Sequence, residues 1–140
     1  MTIIEENPVP EVTNDLDSIL TSVKKMLGIA KDYKHFDETI IMTINSTFMI
    51  LMEIGVENGK IFSIFDENAK WSDYTKDTML LNILIPYVYL RTRLLFDPPT
   101  TSFLLDSIKG IIKEYEWRIS VHLSTNSWTF EEIINEQSGG

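Results

Sequence analysis

The chain has no cysteine among its 140 residues, which excludes disulfide scaffolds, zinc fingers and thiol nucleophiles. It has only two histidines, His35 and His122, so a histidine-based metal site would have to draw on carboxylates and on oligomer symmetry. Its six glycines, at 28, 55, 59, 110, 139 and 140, are too scattered to form a phosphate-cradling loop. Base is scarce as well. Twelve Lys and Arg stand against 21 Asp and Glu, a net charge of −9, the wrong sign for sequence-independent binding of duplex DNA. Long apolar runs are also missing. The most apolar window, Met79 to Leu90, is broken by Asn82 and Pro86 and closed by Arg91, whereas a membrane span needs about 20 residues. The N-terminus has neither a basic start nor an apolar stretch of signal-peptide length. The expectation is a soluble chain made in the cytoplasm, with no membrane partner.

What is present is an ordinary globular composition, 44% apolar and 24% charged, at a length that suits one core. The acid is unevenly placed. Residues 1–20 carry Glu5, Glu6, Glu11, Asp15 and Asp17 with no base, and residues 123–140 carry Glu131, Glu132 and Glu136 with none. The intervening stretch has thirteen acids against twelve bases. A balanced domain with acidic ends follows: an arm over 1–13, a helical domain over 14–122 and an acidic, aromatic tail over 123–140. A protein that imitates DNA would spread acid over its folded surface instead.

Apolar spacing predicts an all-α bundle of four main helices with one short β-hairpin between the second and third. Leu16, Ile19, Leu20, Val23, Met26 and Leu27 recur at steps of three and four. Asn14 serves as N-cap, Asp15 and Asp17 fill the first turn, and Gly28 takes the left-handed C′ position. A second helix spans Asp37 to Ile54. Its face is Ile40, Ile41, Ile44, Phe48, Leu51 and Met52, widened by Met42, Met49 and Ile50 beyond what one neighbour would cover, and Gly55-Val56 closes it. Ile61 to Phe65 and Ala69 to Trp71, flanking Asp66-Glu67-Asn68, predict the hairpin. The third helix, Asp77 to Phe96, is apolar nearly all round, the mark of a central element. Pro86 predicts a kink or break in it, and Asp97-Pro98-Pro99 stops it. Thr100, Thr101 and Ser102 offer N-caps for a fourth helix to about His122, with Leu104, Ile108, Ile111, Ile112, Tyr115 and Ile119 as its stripe. Gly110 within that helix predicts a close helix approach.

Catalytic constellations are not suggested. Glu132 and Glu136 share a helix face, yet in a polar tail they read as solvated, and no cofactor is implied. His35 reads as a loop or near-cap residue, and His122 suits a helix C-terminus. The aromatics Tyr87, Tyr89, Tyr115, Trp117 and Trp128 are spaced for packing rather than for stacking on single strands. All three arginines, Arg91, Arg93 and Arg118, lie within residues 91–118. Arginine gathered with aromatics points to a protein interface.

The stretch Tyr87-Val-Tyr-Leu-Arg-Thr-Arg-Leu-Leu-Phe-Asp97-Pro98-Pro99-Thr-Thr-Ser-Phe103 resembles the head–tail connector (head-completion, adaptor) proteins of tailed bacteriophages. The likeness continues through Ile108-Lys109 to Glu114-Tyr-Glu-Trp117-Arg118. Upstream it takes in Val23 to Gly28, Phe36-Asp37, Ile44-Asn45, Leu51 to Val56 and the hairpin ending at Trp71, roughly residues 18 to 120. The resemblance implies a non-enzymatic subunit of a ring of about a dozen copies with cyclic head-to-tail contacts. It implies docking beneath the portal protein, a channel that DNA passes only as cargo, and reception of the next tail-completion (stopper) protein in the virion. Candidate subunit contacts are then Arg91, Arg93, Asp97, Pro98, Pro99 and Arg118 at the corner, with Phe62, Phe65 and Trp71 on the hairpin. Trp128, Phe130, Ile133 and Ile134 are candidates for docking the tail on the portal. A small acidic inhibitor of a host enzyme is the alternative from another class, with a metal-dependent helical hydrolase behind it.

Overall fold

The computed structural model describes residues 16–126. The arm over 1–13, and Trp128, Phe130, Ile133 and Ile134 of the tail, lie outside the described residues. Within them the chain is all-α and no strand forms. The elements are α1 (Ile19–Met26), α2 (Asp37–Ile54), a 3₁₀ turn (Val56–Gly59), α3 (Trp71–Tyr74), α4 (Thr78–Phe96) and α5 (Ser102–Asn126). α4 packs against both α2 and α5, while α2 and α5 barely meet, so the three long helices form a layer with α4 in the middle. α1 closes the layer against α2 and α4.

The glycine stops behave as their sequence context dictates. Gly28 sits at φ 79°. Its amide donates to Lys25 O and the Ile29 amide to Lys24 O, the paired bonds of a Schellman ending. Gly55, at φ 108°, ends α2 with its amide on the Leu51 and Met52 carbonyls, and the following Val56 is fully buried.

α1 begins five residues later than Asn14. Ser18 is its N-cap and accepts from the Thr21 amide, leaving Leu16 and Asp17 in a turn with Leu16 exposed. A distant segment sets this start. The Ile19 amide donates to Ala69 O, the Trp71 amide donates to Asp17 O, and Ser18 faces Lys70 in an antiparallel bridge. A longer first helix would have used those groups internally.

The same pairing replaces the expected hairpin. Ala69-Lys70-Trp71 pairs with residues 17–19 rather than with 61–65, and Trp71 opens α3, where Asp73 Oδ2 accepts from the Lys70 amide at 2.9 Å. Ile61–Phe65 stays extended, and its backbone partner is a side chain. Asn45 Nδ2 donates to Ile64 O at 2.9 Å, and Asn45 Oδ1 accepts from the Ile64 amide at 2.8 Å. One amide on α2 thus supplies both bonds of a ladder pair.

α4 runs through Pro86 without a break, so the lost amide bond is tolerated. By length and composition α4 would pass for a membrane span, and its contacts with α2 and α5 account for part of that apolarity. Its envelope is incomplete, however. Leu80, Leu84, Tyr87, Val88 and Thr92 are buried, but Met79 and Leu95 are exposed. Thr101 caps α5, which continues past His122 to Asn126. Gly110 on α5 is exposed, and nothing lies within 4 Å of where its Cβ would be. Among the described residues, no helix makes the close approach expected there.

Candidate assembly surface

The Asp97-Pro98-Pro99 corner joins the two longest helices and is built by the stop signal itself. The Asp97 amide still bonds to Arg93 O, after which the prolines offer no donor. An aromatic cluster is seated beside it. The Phe36 ring, preceding α2, meets the Phe96 ring edge-on at 5.2 Å, and His35 and Tyr33 pack on Phe36 at 4.9 and 5.8 Å. His35 is the near-cap residue expected, and it also joins an exposed aromatic cluster. The Phe36–Phe96 contact links residues 60 apart, and nothing in their spacing announced it.

The three arginines divide. Arg91 Nη1 lies 3.4 Å from Glu116 Oε1 and its guanidinium sits over the Tyr87 ring. Burial, opposed by this guanidinium, pushes the Tyr87 hydroxyl up to about 12, so it remains neutral. Arg118 pairs with Glu114 one turn away at 2.7 Å. Arg93 makes no ion pair among the described residues, and Asp97 and Pro98 beside it are exposed while Pro99 is partly covered.

The residues expected in a hairpin also divide. Trp71 lies in the core, its indole nitrogen donating to Ser22 Oγ at 3.0 Å. Phe62 meets Phe48 edge-on at 5.0 Å and the tilted Tyr74 ring at 4.8 Å, and is partly buried. Phe65 is 85% exposed and Ile61 nearly as much. Only the outward members of the extended segment are left to meet another molecule.

Two polar clusters brace this surface. Lys24 is 2% exposed, and its ammonium donates to Tyr33 O at 2.7 Å and Lys31 O at 3.1 Å and pairs with Asp37 Oδ1 at 2.7 Å. It ties the end of α1, the following loop and the start of α2 together. At the other end Asp77 caps α4, its Oδ1 accepting from the Leu80 amide at 3.0 Å and its Oδ2 meeting His122 Nε2 at 2.7 Å. The His122 hydrogen bond, followed by the Leu80 amide, holds the Asp77 carboxyl below the usual carboxylate range. With both oxygens engaged, the pair works as a latch between α4 and α5. Glu57 and Asn58, beside this latch, hold φ of 52° and 57°, with Glu57 accepting from the Thr75 hydroxyl. Neither cluster is legible in spacing, since the partners are brought together by the fold. No group of three His, Asp or Glu able to hold a metal ion occurs among the described residues.

Large apolar side chains remain on both outer flanks of the layer. Met42 and Met49 stand out from α2, and Phe103, Leu104, Ile111, Trp117 and Val121 stand out from α5. Residues 19–126 match the model of a family described as phage connector protein. No curated protein and no solved structure matches the chain.

Proposed function

The chain belongs to the phage connector protein family, and from that premise we propose that it is the subunit of an oligomeric ring beneath the portal. It is a structural protein of the head–tail junction. In the proposed role the ring extends the DNA channel, passes DNA only as cargo, receives the next tail-completion protein and catalyses nothing. One observation carries the ring. Phe103 and Trp117 on α5, and Met42 and Met49 on α2, are each more than half exposed, on two helices that both pack on α4 and barely meet. Large apolar side chains left exposed on two helices suit an interface. Two different patches on opposite flanks suit head-to-tail contacts, which close into a ring of about a dozen copies if the rotation allows.

In this reading the corner of Arg93, Asp97, Pro98 and Pro99 faces a neighbouring subunit or the portal, and Trp128, Phe130, Ile133 and Ile134 dock on the portal. Sedimentation velocity and negative-stain imaging of the purified chain, alone at rising concentration and with portal, test the role. Closed rings are expected. A particle that stays monomeric at every concentration and ignores portal overturns it.

A further inference from the structure

The ring reading leaves open which surfaces meet, and the two flanks supply an answer that rests on it. On α5, Phe103, Gly110, Trp117 and Val121 recur at steps of seven, seven and four, which places them along one face. Trp117 is 66% exposed, Phe103 more so, and Gly110 leaves open space at its Cβ. The face is therefore a shallow seat between two aromatic rings. Along its edge run Lys109 and Lys113, both exposed, with Asp106 between them and the seat. Glu114, also on this face, is neutralised by Arg118 at 2.7 Å.

The opposite flank has matching chemistry. Met42 and Met49 on α2 are also seven residues apart, and Met42 is 69% exposed. Asn45 lies between them and holds Ile64, so the exposed Phe65 ring projects beside this strip. Glu38 and Glu53 flank the methionines, Asp66 follows Phe65, and α2 contains no base at all. Flexible thioethers pack well on aromatic edges. The acidic border faces two lysines against one aspartate.

We infer that the α5 face of one copy (Phe103, Gly110, Trp117, Val121) seats on the Met42–Met49–Phe65 face of the next copy. Lys109 and Lys113 then lie against Glu38 and Glu53. The occupant is a second copy because both halves of the contact are present on this chain, with opposite charge and equal spacing. The two halves are different surfaces on different helices, so the contact is heterologous and each copy offers one half to either neighbour.

The absence of cysteine makes the test clean. The double variant Met49→Cys with Trp117→Cys, oxidised at rising concentration, should give a disulfide ladder of two, three and more chains. Each single variant should give little. Lys109→Glu with Lys113→Glu should weaken association about tenfold or more, and mixing with Glu38→Lys, Glu53→Lys chains should restore much of it. Sedimentation of the unmodified chain reads the ring itself. Association without a ladder overturns this interface and leaves the ring standing, whereas a chain that never associates overturns both. Single-cysteine dimers as abundant as the ladder would mean a symmetric contact and overturn the proposal. A disulfide within one copy between Trp117→Cys and Ile133→Cys would give the α5 face to the chain's own C-terminal segment, with the same consequence.

Discussion

An ammonium group withdrawn from water needs acceptors and a counter-charge, and Lys24 finds the first in Lys31 O and Tyr33 O and the second in the Asp37 carboxylate. Removing one partner of a buried pair costs about 3–5 kcal/mol because the other charge stays behind. Asp37 is 17% exposed and sits in the first turn of α2, where the helix dipole favours acid, so Lys24→Met belongs at the lower end, about 3 kcal/mol. Urea denaturation measures this, with exposed Lys25→Ala as the control expected within about 0.5 kcal/mol of the parent. Asp77 makes a prediction in pH. Its folded carboxyl is held below the ordinary range by His122 and then by the Leu80 amide. Its contribution is therefore complete above the unfolded value near 4 and is lost as pH falls through the lower folded value. Urea midpoints of the parent and of Asp77→Asn should be well separated at about pH 6 and converge as acid protonates the parent's carboxyl. A gap that stays constant through the acid range would assign the latch to shape rather than charge. Asn58, left-handed without being glycine, carries a milder cost. Asn58→Gly should raise stability by a few tenths to about 1 kcal/mol, readable as a higher melting temperature.

At the scale of elements, the extended segment 61–65 shows how a stretch of strand-like sequence can lack a strand. Ile61, Phe62, Ile64 and Phe65 have the β-branched and aromatic content of a strand, and alternate residues do point in and out, with Ile64 buried and Phe65 exposed. What they lack is a second strand, because Lys70 and Trp71 are engaged by residues 17 and 18. Asn45 supplies the missing partner. Asn45→Ala should leave the Ile64 amide and carbonyl without that partner at a cost of about 1–3 kcal/mol. Hydrogen exchange at Ile64 should accelerate while the core of α4 is little changed. Unchanged exchange there would mean that packing of Phe62 on Phe48, not the amide, holds the segment. α1 is short for the same reason: its first turn was given to pairing with residues 69–71.

For the whole molecule, the layer of α2, α4 and α5 buries α4 only in part and leaves apolar strips on both flanks, a state that a monomer of this size has little reason to keep. In the proposed ring those strips become subunit contacts, and the tail is proposed as a second attachment. A few apolar anchors of about 1.5–3 kcal/mol each, repeated around a ring, hold a partner by avidity. A chain ending at residue 126 should therefore keep its helical spectrum but lose stable portal attachment, with Trp128→Ala and Ile133→Ala each giving part of the loss. Pull-down on purified portal reads this directly, and normal binding by the shortened chain would reduce the tail to a passive end.

Local signals in the chain determined much of this protein. The helix stops at Gly28 and Gly55, the Asp97-Pro98-Pro99 corner and the buried stripe of Ile108, Ile112 and Ile119 follow from backbone sterics and a 3.6-residue period. These act over a few neighbouring residues and need no knowledge of the rest of the fold. The connector resemblance was legible for a related reason, since its motifs are themselves short and ordered along the chain. Tertiary structure decided whatever depends on a partner far away in sequence. The pairing of Trp71 with Asp17 moved the start of α1 and abolished the hairpin, Asn45 took the place of a strand, and Lys24 went inside because Asp37 and two carbonyls were there to receive it. It also decided which apolar residues were left over. Gly110, Trp117, Met42 and Met49 lie on helices whose inner faces were already filled, and only the placement of α4 between α2 and α5 turned them into two opposed outer surfaces.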